Sequence, residues 1–160
     1  MRSGRTFSNL FAAADETNLV QALVNAVERL HGAAAEVRLD VSCDASTTVA
    51  GSPTEWESAL CDLLENAVTE TCAGGSVHVQ VHRTDEGVTI RIADEGPGVR
   101  ADEFARYYER PALNGVRSLL QEWGGGKIAI SSGGARAGTR VEVTVDEIES
   151  ETPRPEALLA

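Results

Sequence analysis

The chain is built around the run Leu60-Cys61-Asp62-Leu63-Leu64-Glu65-Asn66-Ala67-Val68-Thr69-Glu70. At about 100° per residue, a helix places Asp62, Asn66 and Thr69 on one side and an apolar set on the other. That set comprises Trp56, Leu60, Leu63, Leu64 and Ala67. An Asp and an Asn one turn apart suit a hard cation and its phosphate ligands, although charged residues on a helix also commonly form a solvated face. The apolar side predicts packing against a core, and both interpretations of the polar side stay open at this point.

Composition limits the class of protein. The 160 residues are enough for one domain with a substantial core. With 25 acidic against 14 basic residues, the net charge of −11 repels nucleic acid and anionic membranes. We therefore expect neither nucleic acid nor a membrane as a partner.

Three cysteines, Cys43, Cys61 and Cys72, give neither an even disulfide framework nor a closely spaced metal-binding pair. We expect reduced thiols. The apolar run near the start is shorter than a signal sequence, and no later run approaches the length of a membrane span. These features predict a cytoplasmic location.

Hydrophobic periodicity predicts an α+β domain over 15–146, preceded by an irregular segment, 1–14, and followed by an acidic, disordered tail, 147–160. Helices are expected at 15–31, 53–73, 101–110 and 113–123, and strands at 37–41, 47–50, 77–81, 88–92, 128–130 and 141–145. Ser52 is the expected N-cap of the second helix and Pro53 its first residue. Pro111 is expected to break the chain between the last two helices.

Three polar elements, far apart in sequence, are candidates for one site. They are the Asp62/Asn66 helix face, the turn Asp94-Glu95-Gly96-Pro97-Gly98, and Gly138-Thr139 before the last strand. An Asp at the end of a buried strand can accept a hydrogen bond from an amino group, and a glycine two residues later leaves room for a flat ring. A turn of this kind also occurs without any function, so the combination matters more than each piece.

The order and spacing of these elements resemble the ATP-binding domain of sensor histidine kinases, whose fold is shared with the gyrase-type ATPases. The matching segments are Leu63-Leu64-Glu65-Asn66-Ala67 (N-box), Asp94-Glu95-Gly96-Pro97-Gly98 (G1 box), Phe104 to Arg110 (a loose F-box), Gly125-Gly126-Lys127-Ile128 and Ala137-Gly138-Thr139. The resemblance covers residues 18–145. It implies a Bergerat-type two-layer α/β sandwich, in which three helices cover one face of a mixed, mostly antiparallel sheet and nucleotide lies between the layers.

The resemblance also implies a cofactor, ATP or ADP with Mg²⁺, and roles for individual residues. Asn66 would ligate a Mg²⁺ ion that bridges the phosphates, and Asp94 would bind the adenine amino group. Gly96 and Gly98 would let the nucleotide approach, and Thr139 would help to order the adenine contacts.

Two departures from the family pattern affect the chemistry. Asp62 stands where histidine kinases usually carry Asn and hydrolytic relatives carry Glu; it would either act as a general base or lie near the metal without that role. The lid and the Gly-x-Gly-Leu-Gly phosphate run are replaced by Arg110-Pro111-Ala112-Leu113-Asn114-Gly115-Val116. Fewer backbone N–H donors weaken phosphate binding and leave the adenine pocket less affected. Arg106, Arg110 and Arg117 are candidate replacements as phosphate ligands.

Three functions are compatible with this pattern. The first is an ATP-binding domain of the histidine-kinase type that supplies phosphoryl groups to a partner protein, which carries a phosphoacceptor histidine or is a response regulator. His31 lacks the following acidic residue expected of a phosphoacceptor, so the acceptor is expected on another chain. The second function is a non-catalytic interaction module with the same fold. The third is an anti-sigma-like serine kinase or binder.

Overall fold

Helices cover one face of a five-stranded sheet. The computed structural model describes residues 16–30, 32, 35–71, 74–123, 125–132 and 138–148. The helices are α1 (Leu19–Arg29), α2 (Pro53–Glu70), α3 (Phe104–Tyr108) and α4 (Pro111–Trp123), with a 3-10 turn at Ala101–Glu103. The strands are β1 (Glu16–Asn18), β2 (Glu36–Val41), β3 (Thr48–Ala50), β4 (Ser76–Thr84), β5 (Gly87–Ala93), β6 (Lys127–Ser132), β7 (Thr139–Val145) and β8 (Glu147–Ile148).

The main sheet has the order β2-β4-β5-β7-β6. Strand β2 runs parallel to β4, and the other neighbours are antiparallel. Alternate residues of the central strands are buried against the helices: Val77, Val79, Val81, Val88, Ile90, Ile92, Val141, Val143 and Val145. This period of two is the pattern of a sheet with one face in the core, and it confirms the predicted mixed, mostly antiparallel sheet.

The apolar side of α2 forms the centre of the core, as its sequence predicts. Its five apolar residues, Trp56, Leu60, Leu63, Leu64 and Ala67, are each at most 4% exposed. Helix α2 packs against both α1 and α4, and α4 comes close because Gly115 has no side chain: a Cβ there would lie 3.2 Å from Ala59 Cβ. The three long helices are predicted ones, and the helix predicted at 101–110 is observed as the 3-10 turn followed by the short α3.

A second, three-stranded sheet, β1-β3-β8, was not predicted. Its first strand takes the residues expected to begin the first helix, which starts only at Leu19. The side chain of Asn18 accepts a hydrogen bond from Gln21 N at 3.0 Å and so caps the helix at that point. Residues 15 and 31, the predicted ends of this helix, lie outside the described residues.

The C-terminal boundary also differs from the prediction. Glu147 and Ile148, which were predicted to belong to the tail, form β8 and pair with Val49 and Thr48 of β3. The remainder of the predicted tail, 149–160, and the predicted irregular segment, 1–14, lie outside the described residues.

Ser52 holds the N-cap position of α2 and Pro53 is its first residue, as predicted, although the Ser52 side chain makes no capping hydrogen bond. The prediction for Pro111 is wrong. Pro111 does not break the chain: it is the first residue of α4, where its missing N–H removes no helical bond. Only Glu109 and Arg110 therefore separate α3 from α4.

The turn that follows β5 is held against the end of α2. Thr71 terminates the helix in an extended conformation, and its hydroxyl donates to Ala67 O at 2.9 Å and accepts from Glu95 N at 3.3 Å. Gly96 lies so close to the carbonyl oxygen of Glu70 that a Cβ would overlap it. These contacts place the Asp94–Gly98 turn beside the last turn of α2, one turn from Asn66.

Gly138 is expected to be essential to this arrangement. It has φ +71°, and a Cβ there would overlap the carbonyl oxygen of Asp94 and lie 2.7 Å from Asp94 Oδ1. We expect Gly138→Ala to lower the free energy of unfolding by about 3 kcal/mol or more, because backbone strain and overlap add.

Gly32→Ala is the matched control in urea unfolding. Gly32 also has a positive φ, +91°, but no atom of the described residues lies within 4 Å of its Cβ position. Conformational strain alone should cost about 1 kcal/mol there. Equal losses of unfolding free energy in Gly138→Ala and Gly32→Ala would contradict a close approach of Gly138 to Asp94.

Candidate functional site

Asp94 is the buried polar centre of the site. It is 5% exposed, and its Oδ1 accepts hydrogen bonds from Gly96 N and Thr139 N, both at 2.9 Å. The backbone of Asp94 also donates to Thr139 O at 2.9 Å. Oδ2 accepts no hydrogen bond from the described residues. Burial raises the pKa of Asp94, and the two backbone donors offset part of the rise.

The glycines of the turn let its backbone pack closely beside this carboxylate. Gly96 is buried and in contact with the end of α2, and Gly98 has φ +80°, a conformation that favours glycine. The turn is joined to the far strands because Val99 N donates to Ser132 Oγ at 3.0 Å. The structure thus brings together Asp94, Gly96 and Thr139, as the sequence predicts.

Asn66 lies in a polar network with three other side chains. Its Nδ2 donates to Tyr107 Oη at 2.9 Å, and its Oδ1 accepts from Arg110 Nη1 at 3.2 Å. The same Nη1 donates to Glu70 Oε1 at 2.8 Å. The guanidinium carbon stands 4.3 Å from the centre of the Tyr107 ring, within the range of a cation–π contact.

The network and Asp94 belong to one electrostatic site. Burial raises the pKa of Tyr107, and the charge of Asp94 adds to the rise, which keeps the phenol protonated. Glu70 and Arg110 in turn act on the pKa of Asp94 in opposite directions. Asn66 and Asp94, predicted to share a site, are therefore linked through Tyr107 and Arg110.

Asp62 is placed differently. It is exposed on α2, and a Cβ on Gly115 of α4 would lie 3.9 Å from its Oδ2. Partial burial and the charge of Glu65 raise the pKa of Asp62. Asp62 makes no hydrogen bond to Asn66, Tyr107 or Arg110, so its predicted role as a general base stays a prediction.

Two residues of the network, Tyr107 and Glu70, were not among the predicted site residues. Glu70 follows Asn66 by four residues and so lies on the same face of α2, a signal that the sequence contained. Tyr107 lies on the short helix that resembles the F-box, and nothing in the sequence indicated that it turns inward. Arg110 was considered only as a phosphate ligand.

The residues present do not fit a Mg²⁺ ion at Asn66. Magnesium requires oxygen ligands in a nearly octahedral arrangement, and the amide oxygen of Asn66 faces a guanidinium. The nearest carboxylate of this network, Glu70, is paired with the same cation. In the described part of the chain, no three His, Cys, Asp or Glu side chains are grouped to hold a metal ion.

Comparison with known proteins identifies the family. A family model described as "Histidine kinase-, DNA gyrase B-, and HSP90-like ATPase" matches residues 51–149, more than half of the chain. The chain belongs to this ATPase family. The resemblance stated from the sequence is thereby confirmed, and so is the α+β fold.

Its relatives in sequence are sensor kinases. This chain is 28% identical to the sensor protein kinase PmrB of Pseudomonas aeruginosa over 116 residues. The match covers 64% of this chain and 24% of that protein. It is 32% identical over 74 residues to the signal transduction histidine-protein kinase BaeS of Escherichia coli, covering 46% of this chain and 16% of that protein. The chain spans about a quarter or less of the length of these two relatives.

Solved structures agree on the fold. The mycobacterial sensor histidine kinase MprB superposes with a TM-score of 0.74 at 20% identity, covering 86% of this chain and 100% of that one. Full-length ShkA, solved in complex with AMPPNP, superposes with a TM-score of 0.67 at 26% identity, covering 85% of this chain and 30% of that one. No described helix of this ATPase-family chain combines the length and apolarity that a membrane crossing requires.

The two backbone bonds to Asp94 can be separated from its charge by two substitutions. Asp94→Asn keeps an acceptor oxygen for Gly96 N and Thr139 N, whereas Asp94→Ala leaves both N–H groups buried without one. We expect the free energy of unfolding of Asp94→Ala, measured by urea titration at pH 7, to be about 2 kcal/mol lower than that of Asp94→Asn. Equal stability of the two variants would contradict the bonding described.

The comparison of Asp94→Asn with the wild type reports on the buried charge. Because the folded-state pKa of Asp94 is raised above its ordinary value of 3.8, the stability due to its protonated form is present below pH 3.8 and is lost as the pH rises through the folded pKa. Asp94→Asn should therefore be more stable than the wild type at pH 7. The difference in the free energy of unfolding between the two proteins should narrow as the pH falls towards 3.8.

Proposed function

We propose that this chain is an adenine-nucleotide-binding domain of the histidine-kinase type, which binds ATP or ADP in a two-component signalling system. Asp94 is the observation that supports this most directly. One of its carboxylate oxygens is fixed by two backbone donors, and the other is free of described partners at the end of a buried strand. An oxygen held in this way is an acceptor for an exocyclic amino group such as that of adenine.

The shape of the turn supports the same ligand. Gly98, which has a positive φ and no side chain, leaves backbone uncovered in the turn that holds Asp94, so a flat ring can lie against it, while Gly96 lets the turn pack closely on the end of α2. Full-length ShkA was solved in complex with AMPPNP, an analogue of ATP. We extend adenine-nucleotide binding from that protein to this chain, with Thr139 ordering the Asp94 side of the pocket.

Phosphoryl transfer by this chain alone should be weak. Helix α4 follows α3 after two residues and begins with proline, which has no N–H, and Leu113 N is already bonded to Arg110 O. Gly115, the one glycine left from the family's phosphate run, packs against Ala59 instead. Few backbone donors are therefore available to hold the transferring phosphoryl group.

Any transfer would need a second protein. We propose a partner that carries a phosphoacceptor histidine or is a response regulator, in the cytoplasm, because the named relatives are sensor kinases. A non-catalytic interaction module with the same fold is the second candidate, favoured by the short α3–α4 connection.

Titration calorimetry with ADP, ATP and GDP tests adenine recognition. In Asp94→Asn the side-chain NH₂ would face the adenine amino group, donor against donor, so ADP affinity should fall by about tenfold or more. The preference for ADP over GDP should fall with it, because guanine carries a carbonyl oxygen at that position.

Asp102→Asn is the matched control, since Asp102 is exposed and paired only with Arg100 at 3.1 Å among the described residues. It should bind ADP as the wild type does. If Asp94→Asn also does so, Asp94 does not read the base. If no nucleotide binds the wild type, the interaction-module function stands instead.

A further inference from the structure

The guanidinium of Arg110 contacts the Asn66 oxygen that a divalent cation would need as a ligand. The family resemblance assigns the side-chain oxygen of Asn66 to a metal, yet this oxygen lies 3.2 Å from Arg110 Nη1. The same nitrogen is bonded to Glu70 Oε1 at 2.8 Å, so the guanidinium bridges two oxygen ligands. A positive charge thus already contacts the oxygen that the resemblance assigns to the metal.

Asn66 cannot release this contact by turning its amide group over. Arginine only donates hydrogen bonds, so the atom facing Arg110 must be the oxygen. The amide nitrogen is occupied by the hydroxyl of Tyr107, which is 3% exposed and fixed in the core. The orientation of Asn66 is therefore set by two partners on the α3 side of the site.

Arg110 is itself held in place. Its guanidinium stacks over the Tyr107 ring at 4.3 Å, and Glu70 balances its charge. The residue lies in the two-residue connection between α3 and α4, where the backbone continues with hydrogen bonds from Arg110 N to Tyr107 O and from Leu113 N to Arg110 O. This support leaves little freedom for Arg110 to leave when a metal arrives.

The remaining donors of Arg110 are available. Nη2 and Nε make no hydrogen bond with the described residues, and the side chain is 38% exposed. A guanidinium fork binds phosphate oxygens in a bidentate manner and keeps its charge at any physiological pH. It can therefore supply the positive charge that a metal ion supplies elsewhere.

We propose that Arg110 replaces the divalent cation in this site, so that adenine nucleotides bind without Mg²⁺ and their phosphates contact the guanidinium directly. The proposal rests on the proposed nucleotide binding and adds to it the identity of the cation. It also accounts for the absence of a fit between Mg²⁺ and the described residues around Asn66.

Calorimetric titration of ADP in excess EDTA and in excess Mg²⁺ tests this directly. The wild type should bind with dissociation constants that agree within about twofold in the two conditions. Arg110→Met keeps a long apolar side chain over Tyr107 and removes the charge. In EDTA it should bind ADP about tenfold more weakly than the wild type, and Mg²⁺ should restore part of the loss because Asn66 and Glu70 are then free.

A second readout does not depend on affinity. Mn²⁺, added to the protein without ADP because ADP itself chelates Mn²⁺, broadens nearby NMR signals if it binds at Asn66. The Asn66 side-chain amide signal should stay sharp in the wild type and broaden in Arg110→Met. Arg100→Met, which removes an exposed arginine paired with Asp102, should match the wild type in both measurements.

The possible failures can be told apart. Tenfold weaker ADP binding by the wild type in EDTA, or broadening of its Asn66 signal by Mn²⁺, would overturn the replacement of the metal and leave nucleotide binding intact. Absence of ADP binding in both conditions would overturn the proposed function and the replacement together. If circular dichroism shows that Arg110→Met is unfolded, the two measurements on the wild type still test whether Arg110 replaces the metal.

Discussion

The carboxylate of Asp94 joins two backbone segments that are 45 residues apart in sequence. Its Oδ1 takes the N–H groups of Gly96 and Thr139, which fixes the turn after β5 against the start of β7. The bonds are possible only because Gly138 brings its backbone into contact with Asp94. A charge is buried in the process, and the two donors compensate part of its desolvation. The direction of the second oxygen follows from this bonding, so the base recognition proposed for Asp94 would depend on the same contacts that hold the turn against β7.

The two halves of the site differ in how far they keep the family arrangement. On the side proposed for adenine, Asp94, Gly96 and Thr139 lie together, as the resemblance implies. On the side proposed for the phosphates, α4 starts after a connection of two residues, and an arginine faces Asn66. Loss of the phosphate run removed backbone dipoles, and Arg110 supplies a full positive charge in the same region. The charge of the site is thus concentrated on one side chain.

Most of the fold could be predicted because it depends on local periodicity. The apolar side of α2 and the alternating valines of β4 are patterns that short segments carry by themselves. Of sheet β1-β3-β8, only β3 was predicted, because strands of two or three residues are too short to show a period and depend on partners far along the chain. Asp94 was found because it ends a buried strand. The bond between Asn66 and Arg110, 44 residues apart, follows from tertiary packing and leaves no pattern in the sequence.

The two-residue connection between α3 and α4 also affects the thermodynamics of ligand binding. A long loop that orders around its ligand loses conformational entropy on binding and buries surface, which produces a large negative change in heat capacity. Here the corresponding backbone is already hydrogen-bonded through Arg110 N and Leu113 N. The free domain has therefore lost this entropy during folding, and a ligand meets a surface that is formed in advance. Binding at this site should carry a small heat-capacity change and should be controlled by the contacts themselves rather than by closure of a segment over them.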